Sequence, residues 1–368
     1  MSEKQKLTCF LEDSIFRKNR LASAGSKMLD GFAAPFDATV VSRLEAANVE
    51  ILGEIKSNEF GIAGLFDEAA DFVSDSISAV ENDVADIVLC NDFSGAIRSR
   101  SAERGLYYIH PTYGTVSRFG LIPSVSSMDQ IGILCKSPQK GFYALSIISG
   151  HDPKDGAMYD PKFIDGEAQP DPEKVITKIG VPENVFSADE KSVAVKAAED
   201  FGLDIVSFDL EHFEVFGHVM CILSCGEISG NLSRYDGIKF GHRTENFMDL
   251  QELYTKSRTE GFGSYAKLAV IMGTMLLSSE YYNDYYDKAM RIRRIIKDSV
   301  KFDEFDMILM PTDDANPSRR LAKNVLPQLC GLPSLTMPCC GKGFSLIANA
   351  GKENTLLSAL KQIEAVAG

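Results

Sequence analysis

Positive charge is scarce in this chain: 38 lysines and arginines stand against 52 aspartates and glutamates, a formal net charge of -14. The summed field repels phosphates and cannot supply the counterion release that drives nucleic-acid binding, so no direct nucleic-acid contact is expected. No CxxC pair occurs among the eight cysteines, Cys9, Cys90, Cys135, Cys221, Cys225, Cys330, Cys339 and Cys340. Their scatter argues against a cysteine metal site and for reduced thiols, mostly small buried hydrophobes, in a cytoplasmic protein. The opening MSEKQKLTCF lacks the apolar centre of a signal peptide, and no apolar run reaches the ~18 residues of a membrane span. The five histidines, His110, His151, His212, His218 and His242, have no HExxH or comparable spacing. Neither a GxxxxGK[ST] loop nor a GxGxxG opening a helix is present. Metal, nucleotide and other cofactors are therefore not expected.

What is present is a 368-residue chain with 45% hydrophobic residues, enough to bury a large core. In residues 37–48 Val40, Val41, Leu44 and Ala47 share one helical face, and residues 49–55 (VEILGEI) read as a strand. A loose helical pattern over 69–80 precedes a short apolar strand at 86–90 that runs into Asn91-Asp92-Phe93-Ser94-Gly95. A glycine-containing turn after a strand's carboxyl end is where open α/β sheets place chemistry. Strands at 178–182 and 204–208 flank a helix at 189–201, and a further strand at 305–310 is ended by Pro311. Residues 211–300 read as helical, with a Met, Leu and Tyr stripe suited to core or helix contacts rather than to a cofactor. The Pro-, Asp- and Gly-rich stretch 152–172 reads as a loop tolerant of insertion. Alternating strands and helices predict the α/β class.

The segment from Asn91 to Ile133 carries Asp92, Gly95, Ile97 and Arg98, then Pro111-Thr112-Tyr113-Gly114, Val116-Ser117-Arg118-Phe119-Gly120-Leu121, and Ser126-Ser127-Met128-Asp129-Gln130-Ile131-Gly132. With NLSRYDGIKFGHR from Asn231, TEGFG from Thr259, YYNDYYDKAMRIR from Tyr281 and GLPSLTMPC from Gly331, it resembles the amidase signature family. The likeness is strongest to the A subunits of glutamyl-tRNA(Gln)/aspartyl-tRNA(Asn) amidotransferases. The resemblance implies one domain over 1–368, with a mixed, largely parallel sheet between helical layers. Its core would come from 10–150, 173–210 and 305–365, and its helical region from 211–300.

The same family uses a Ser, cis-Ser, Lys triad, in which a neutral lysine draws a proton through a relay serine from the nucleophilic serine. Matched residue by residue, the nucleophile falls on Ala96, the lysine on Glu12 and the relay serine on Phe72. A methyl group cannot attack a carbonyl, so the resemblance implies a pseudoenzyme. The alternative is an active amidase or glutaminase with a rearranged mechanism, in which Glu12 or Asp13 acts as base. Backbone N–H groups of Phe93, Ser94, Gly95 and Ala96 could persist as a vestigial oxyanion hole, although a turn kept for folding is the favoured reading. Ser94 is read as a residue that hydrogen-bonds within its own turn. Arg98, Tyr113, Ser117, Arg118, Ser127 and Asp129 match residues that support the site loop. Arg293 matches an arginine that holds a substrate carboxylate, or is one more exposed base in RIRRIIK. Implied partners are amidotransferase subunits of the B and C types and a small amide or amino-acid ligand.

Overall fold

A computed structural model of the chain describes residues 6–66, 74–160 and 175–367. The first half contributes β1 (Thr8–Glu12), α1 (Thr39–Ala46), β2 (Glu50–Ile55), α2 (Ser74–Glu81), β3 (Ile87–Asn91), α3 (Ala96–Glu103), β4 (Tyr107–His110), β5 (Ile131–Cys135) and α4 (Pro138–Ile148). Next come β6 (Lys178–Pro182), α5 (Ala188–Asp200) and β7 (Asp204–Phe208). The helical region holds α6 (Phe216–Leu232), α7 (Leu250–Gly261), α8 (Ser264–Leu276) and α9 (Lys288–Ser299). The chain closes with β8 (Met307–Pro311), α10 (Pro317–Asn324), α11 (Leu326–Cys330), β9 (Ser334–Cys339), β10 (Lys342–Ala348) and α12 (Glu353–Ala367).

All ten described strands join one sheet in the order β2-β1-β3-β5-β4-β9-β10-β8-β6-β7. Burial follows that order. Every residue of the interior strands β3, β5 and β8 is buried, and each reads as a short continuous apolar run, whereas the edges β2 and β7 keep exposed positions. The sheet is mixed and flanked by helices, as the resemblance implies, but it is not largely parallel. Four pairings are parallel, β1 with β2, β1 with β3, β6 with β7 and β6 with β8. The five pairings between β3 and β8 are antiparallel. Helical crossovers build the two parallel ends, and the β9–β10 hairpin, joined by a two-residue turn, forces antiparallel order near the middle.

Local chemistry sets the helix ends. Ser187 and Glu190 form a reciprocal capping box at the start of α5, and Ser137 accepts from Lys140 N–H where Pro138 opens α4. The segment Phe213–Leu232, a 3₁₀ turn leading into α6, has mean hydropathy 1.2 over a span long enough to cross a membrane. The sequence offers no uninterrupted apolar run there, since Ser, Gly, Glu and His punctuate it. Of that span 56% is buried within the protein, with Val219, Met220, Leu223 and Ile228 inside the main core, so it serves as a core helix.

Candidate functional site

The parallel alignment of β1 and β3 brings Leu11 opposite Leu89 and sets Glu12 beside Asn91 at the carboxyl ends of both strands. Asn91 N–H donates to Glu12 Oε2 at 3.1 Å. Burial pushes the Glu12 carboxyl up to about 8, with the Asp13 and Asp92 carboxylates adding to the rise and the Asn91 N–H opposing it. Asp13, its neighbour in sequence, serves the backbone instead. It accepts from Ser57 N–H at 2.9 Å, Ser57 hydroxyl at 2.7 Å and Gly25 N–H at 3.2 Å, and also from the Ser23 hydroxyl.

Beyond β3 the chain must turn sharply to begin α3, and Gly95 makes this turn at φ +79°. A Cβ at Gly95 would lie 2.5 Å from Asn324 Cβ, so both conformation and space exclude a side chain. Asp92 caps the new helix, accepting Ile97 N–H at 3.1 Å and Arg98 N–H at 3.0 Å. The same carboxylate takes Arg98 Nε at 3.1 Å, while Arg98 Nη2 and Gln328 Nε2 both donate to the Asp92 carbonyl at 2.9 Å. Arg98 is wholly buried, its guanidinium 5.7 Å from the Tyr108 ring centroid.

Ala96 is therefore the first residue of α3, directly after the Gly95 turn. Gly64, in the 3₁₀ turn Glu59–Leu65, lies against it: a Cβ on Gly64 would be 2.0 Å from Ser94 Oγ and 3.0 Å from Ala96 Cβ. That turn is tied to the TEGFG segment, because Glu59 accepts Gly263 N–H at 2.9 Å and the Ser26 hydroxyl at 2.7 Å. The Ser94 hydroxyl, expected to bond within its own turn, makes no hydrogen bond among the described residues. A cavity of about 40 Å³ opens beside Ser94, Gly95 and Ala96 and is also lined by Ser99, Arg320 and Asn324. It meets a larger cavity of about 670 Å³ at Gly64, Pro317 and Leu321, whose far wall includes Phe213, His218 and Cys221. Phe72, assigned to the relay-serine position, lies outside the described residues.

The remaining matched residues form three ties around this core. Asp129 is buried, accepts Ser124 N–H at 2.9 Å and Val125 N–H at 3.0 Å, and receives Asn91 Nδ2 at 2.9 Å. Burial raises its carboxyl, and these donors oppose the rise. Arg118 grips Asp155 through Nε at 3.1 Å and Nη2 at 3.0 Å, donates through Nη1 to the Ser126 carbonyl, and stacks 4.8 Å from the Tyr113 ring centroid. Tyr113 itself donates to the Ser126 carbonyl at 2.9 Å, and Ser117 donates to Asp152 at 2.7 Å. Ser127 gives its N–H to Glu227 at 2.9 Å and its hydroxyl to the same carboxylate.

Arg293 joins that third tie. Its Nη1 donates to Ser127 Oγ at 2.9 Å, Nη2 to the carbonyls of Ser127 at 3.1 Å and Gln328 at 3.3 Å, and Nε to the Leu329 carbonyl at 2.9 Å. It is thus no exposed base like Arg294, and its guanidinium already faces the protein. Asp92, Gln328, Asn324, Gly64 and Glu227 shape the site without having been candidates on sequence. Asp92 had a readable signal, an acid at a strand end three residues before a turn glycine; the others arrive from distant segments and had none.

An amidase family model matches residues 76–357, which include the β3–α3 turn and the whole of the helical region. The chain belongs to the amidase family. Within that family it is 36% identical over 367 residues to the A subunit of glutamyl-tRNA(Gln) amidotransferase from Lachnoclostridium phytofermentans, covering 89% of this chain and 74% of the relative. To the protein of the same name from Acinetobacter baumannii it is 34% identical, covering 96% and 81%. Among solved structures, the A subunit of glutamyl-tRNA(Gln) amidotransferase from Thermotoga maritima aligns with TM-score 0.72 and 23% identity over 98% of this chain and 84% of that one. A peptide amidase from Stenotrophomonas maltophilia aligns with TM-score 0.74 and 22% identity, covering 98% and 82%. At those identities the structures speak for the shared amidase fold alone.

Proposed function

We propose that this amidase-family chain has lost glutamine-hydrolysing chemistry and serves as a non-catalytic, A-type scaffold beside B-type and C-type amidotransferase subunits in the cytoplasm. Ala96 carries this reading: at the first residue of α3, where the family's nucleophile falls, the side chain ends in a methyl group. Glu12 supports it, since a buried carboxyl stands where the resemblance assigns an amine. Space supports it too. The space directly beside Ala96 is small, about 40 Å³. A small amide or amino-acid ligand would have to occupy the adjoining larger cavity.

A second reading has one observation in its favour. Glu12, pushed up to about 8, would be mostly protonated near neutral pH with a minor carboxylate fraction, and could exchange a proton at the old site. A glutaminase assay of the pure chain, with and without its B-type partner, separates the two. No turnover is expected from the parent chain or from Ala96→Ser, because restoring the hydroxyl leaves no amine to activate it. Turnover by the parent that disappears in Glu12→Gln overturns the non-catalytic reading. Co-purification with a B-type protein supports the complex role, and a monomer indifferent to added B-type protein overturns it.

A further inference from the structure

The last paired residues of the β9–β10 hairpin are Cys339 and Lys342, so Cys340 and Gly341 make up the whole turn. Both have positive φ, +50° and +77°. Two-residue hairpin turns of this form match the strand twist and usually carry Asn-Gly or Gly-Gly. A cysteine in the first place is strained there, and asparagine would lessen the strain. The turn exposes Cys340, leaves Cys339 half-buried and holds the two sulfurs 3.9 Å apart.

That spacing selects between two chemistries. Two thiolates bound to one tetrahedral ion at ~2.3 Å lie about 3.8 Å from each other, so the pair is already set for shared coordination. A disulfide needs the sulfurs at about 2.05 Å, and adjacent Cα atoms, about 3.8 Å apart, fall below its usual range of roughly 4.4–6.8 Å.

We propose that Cys339 and Cys340 form a two-thiolate site for a soft divalent cation of the zinc and cadmium class. Both thiols release a proton to solvent as their sulfurs bind, and two waters leave the ion. Among the described residues no third His, Cys, Asp or Glu completes the set. The other coordination positions stay with solvent or an outside ligand, which makes the ion exchangeable. Because binding releases the thiol protons, it strengthens as pH rises. Of the other cysteines, Cys9, Cys90, Cys135, Cys225 and Cys330 are buried and Cys221 is half-buried. A sequence search keyed to CxxC spacing passes over this pair, and the site does not depend on the amidase reading.

The test titrates the reduced full chain with Cd(II), following thiolate-to-metal charge-transfer absorption and counting bound ions by native mass spectrometry. One Cd(II) per chain is expected, with affinity rising from pH 6 to pH 8. Cys339→Ser and Cys340→Asn should each weaken binding at least tenfold, and Cys221→Ser should leave it unchanged. Asparagine suits the turn, so circular dichroism of Cys340→Asn should match the parent. Absence of binding, binding unaltered in both hairpin variants, or loss of two hydrogens to a disulfide under hydroperoxide without any Cd(II) uptake would each overturn the proposal.

Discussion

Glu12 shows how burial changes the chemistry of a carboxyl. Its folded-state value of about 8 stands above the ordinary 4.5, so between those pH values the folded chain holds a proton that the unfolded chain has released. The stability contributed by that proton is fully present below about pH 4.5, falls by up to ~1.4 kcal/mol per pH unit, and is gone above about pH 8. Glu12→Gln keeps an acceptor for Asn91 N–H without the charge. Urea denaturation should find this variant no different near pH 4.5 but more stable than the parent by ~2–4 kcal/mol at pH 9; equal stabilities at pH 9 would show that the carboxyl is not held protonated. Asp92, close to it in space, has the partners Glu12 lacks: its carboxyl accepts the Ile97 and Arg98 N–H groups and the Arg98 side chain.

At the level of elements, the β3–α3 turn is the unit on which the packing of the site converges. Gly95 permits it, Asp92 caps it, and Gln328 and Asn324 from the far end of the chain press on it. Gly95→Ala forces a side chain into the left-handed region and against Asn324 Cβ. A loss of about 2–4 kcal/mol is expected from denaturant titration, combining backbone strain and overpacking; a loss under ~0.5 kcal/mol, the scatter of an ordinary surface change, would mean that α3 starts differently. The element boundaries are largely legible in the sequence. The strands at 178–182 and 204–208 match β6 and β7, and the helix at 189–201 is displaced by one residue from α5. Pro311, read as a strand stop, is instead the last residue of β8, and it pairs with Phe344 on the β10 side. The β9–β10 hairpin escapes sequence reading, since its turn is Cys-Gly rather than one of the usual dipeptides.

Across the whole molecule, one sheet ties segments separated by hundreds of residues, and side chains lock the helical region onto it. Arg293 on α9, Ser127 in the loop before β5, and Glu227 on α6 form one such lock together with the carbonyls of Gln328 and Leu329. Burial lowers the Arg293 guanidinium and Glu227 opposes this. Arg293→Ala leaves those carbonyls unpaired and should cost about 2–3 kcal/mol. Hydrogen exchange should show faster opening of α9 and of the segment around Ser127; unchanged protection there would free Arg293 for the ligand-binding role that the resemblance suggests.

Residue type and order along a continuous segment are enough to establish the family and the α/β class. Other properties emerge only when the chain folds: Gly64 closes over Ala96, Glu12 is buried enough to hold its proton, Arg293 becomes a strut, and the middle of the sheet runs antiparallel. Each of these depends on which distant segments meet. Burial, desolvation and strand pairing are properties of that meeting, and no local pattern encodes them.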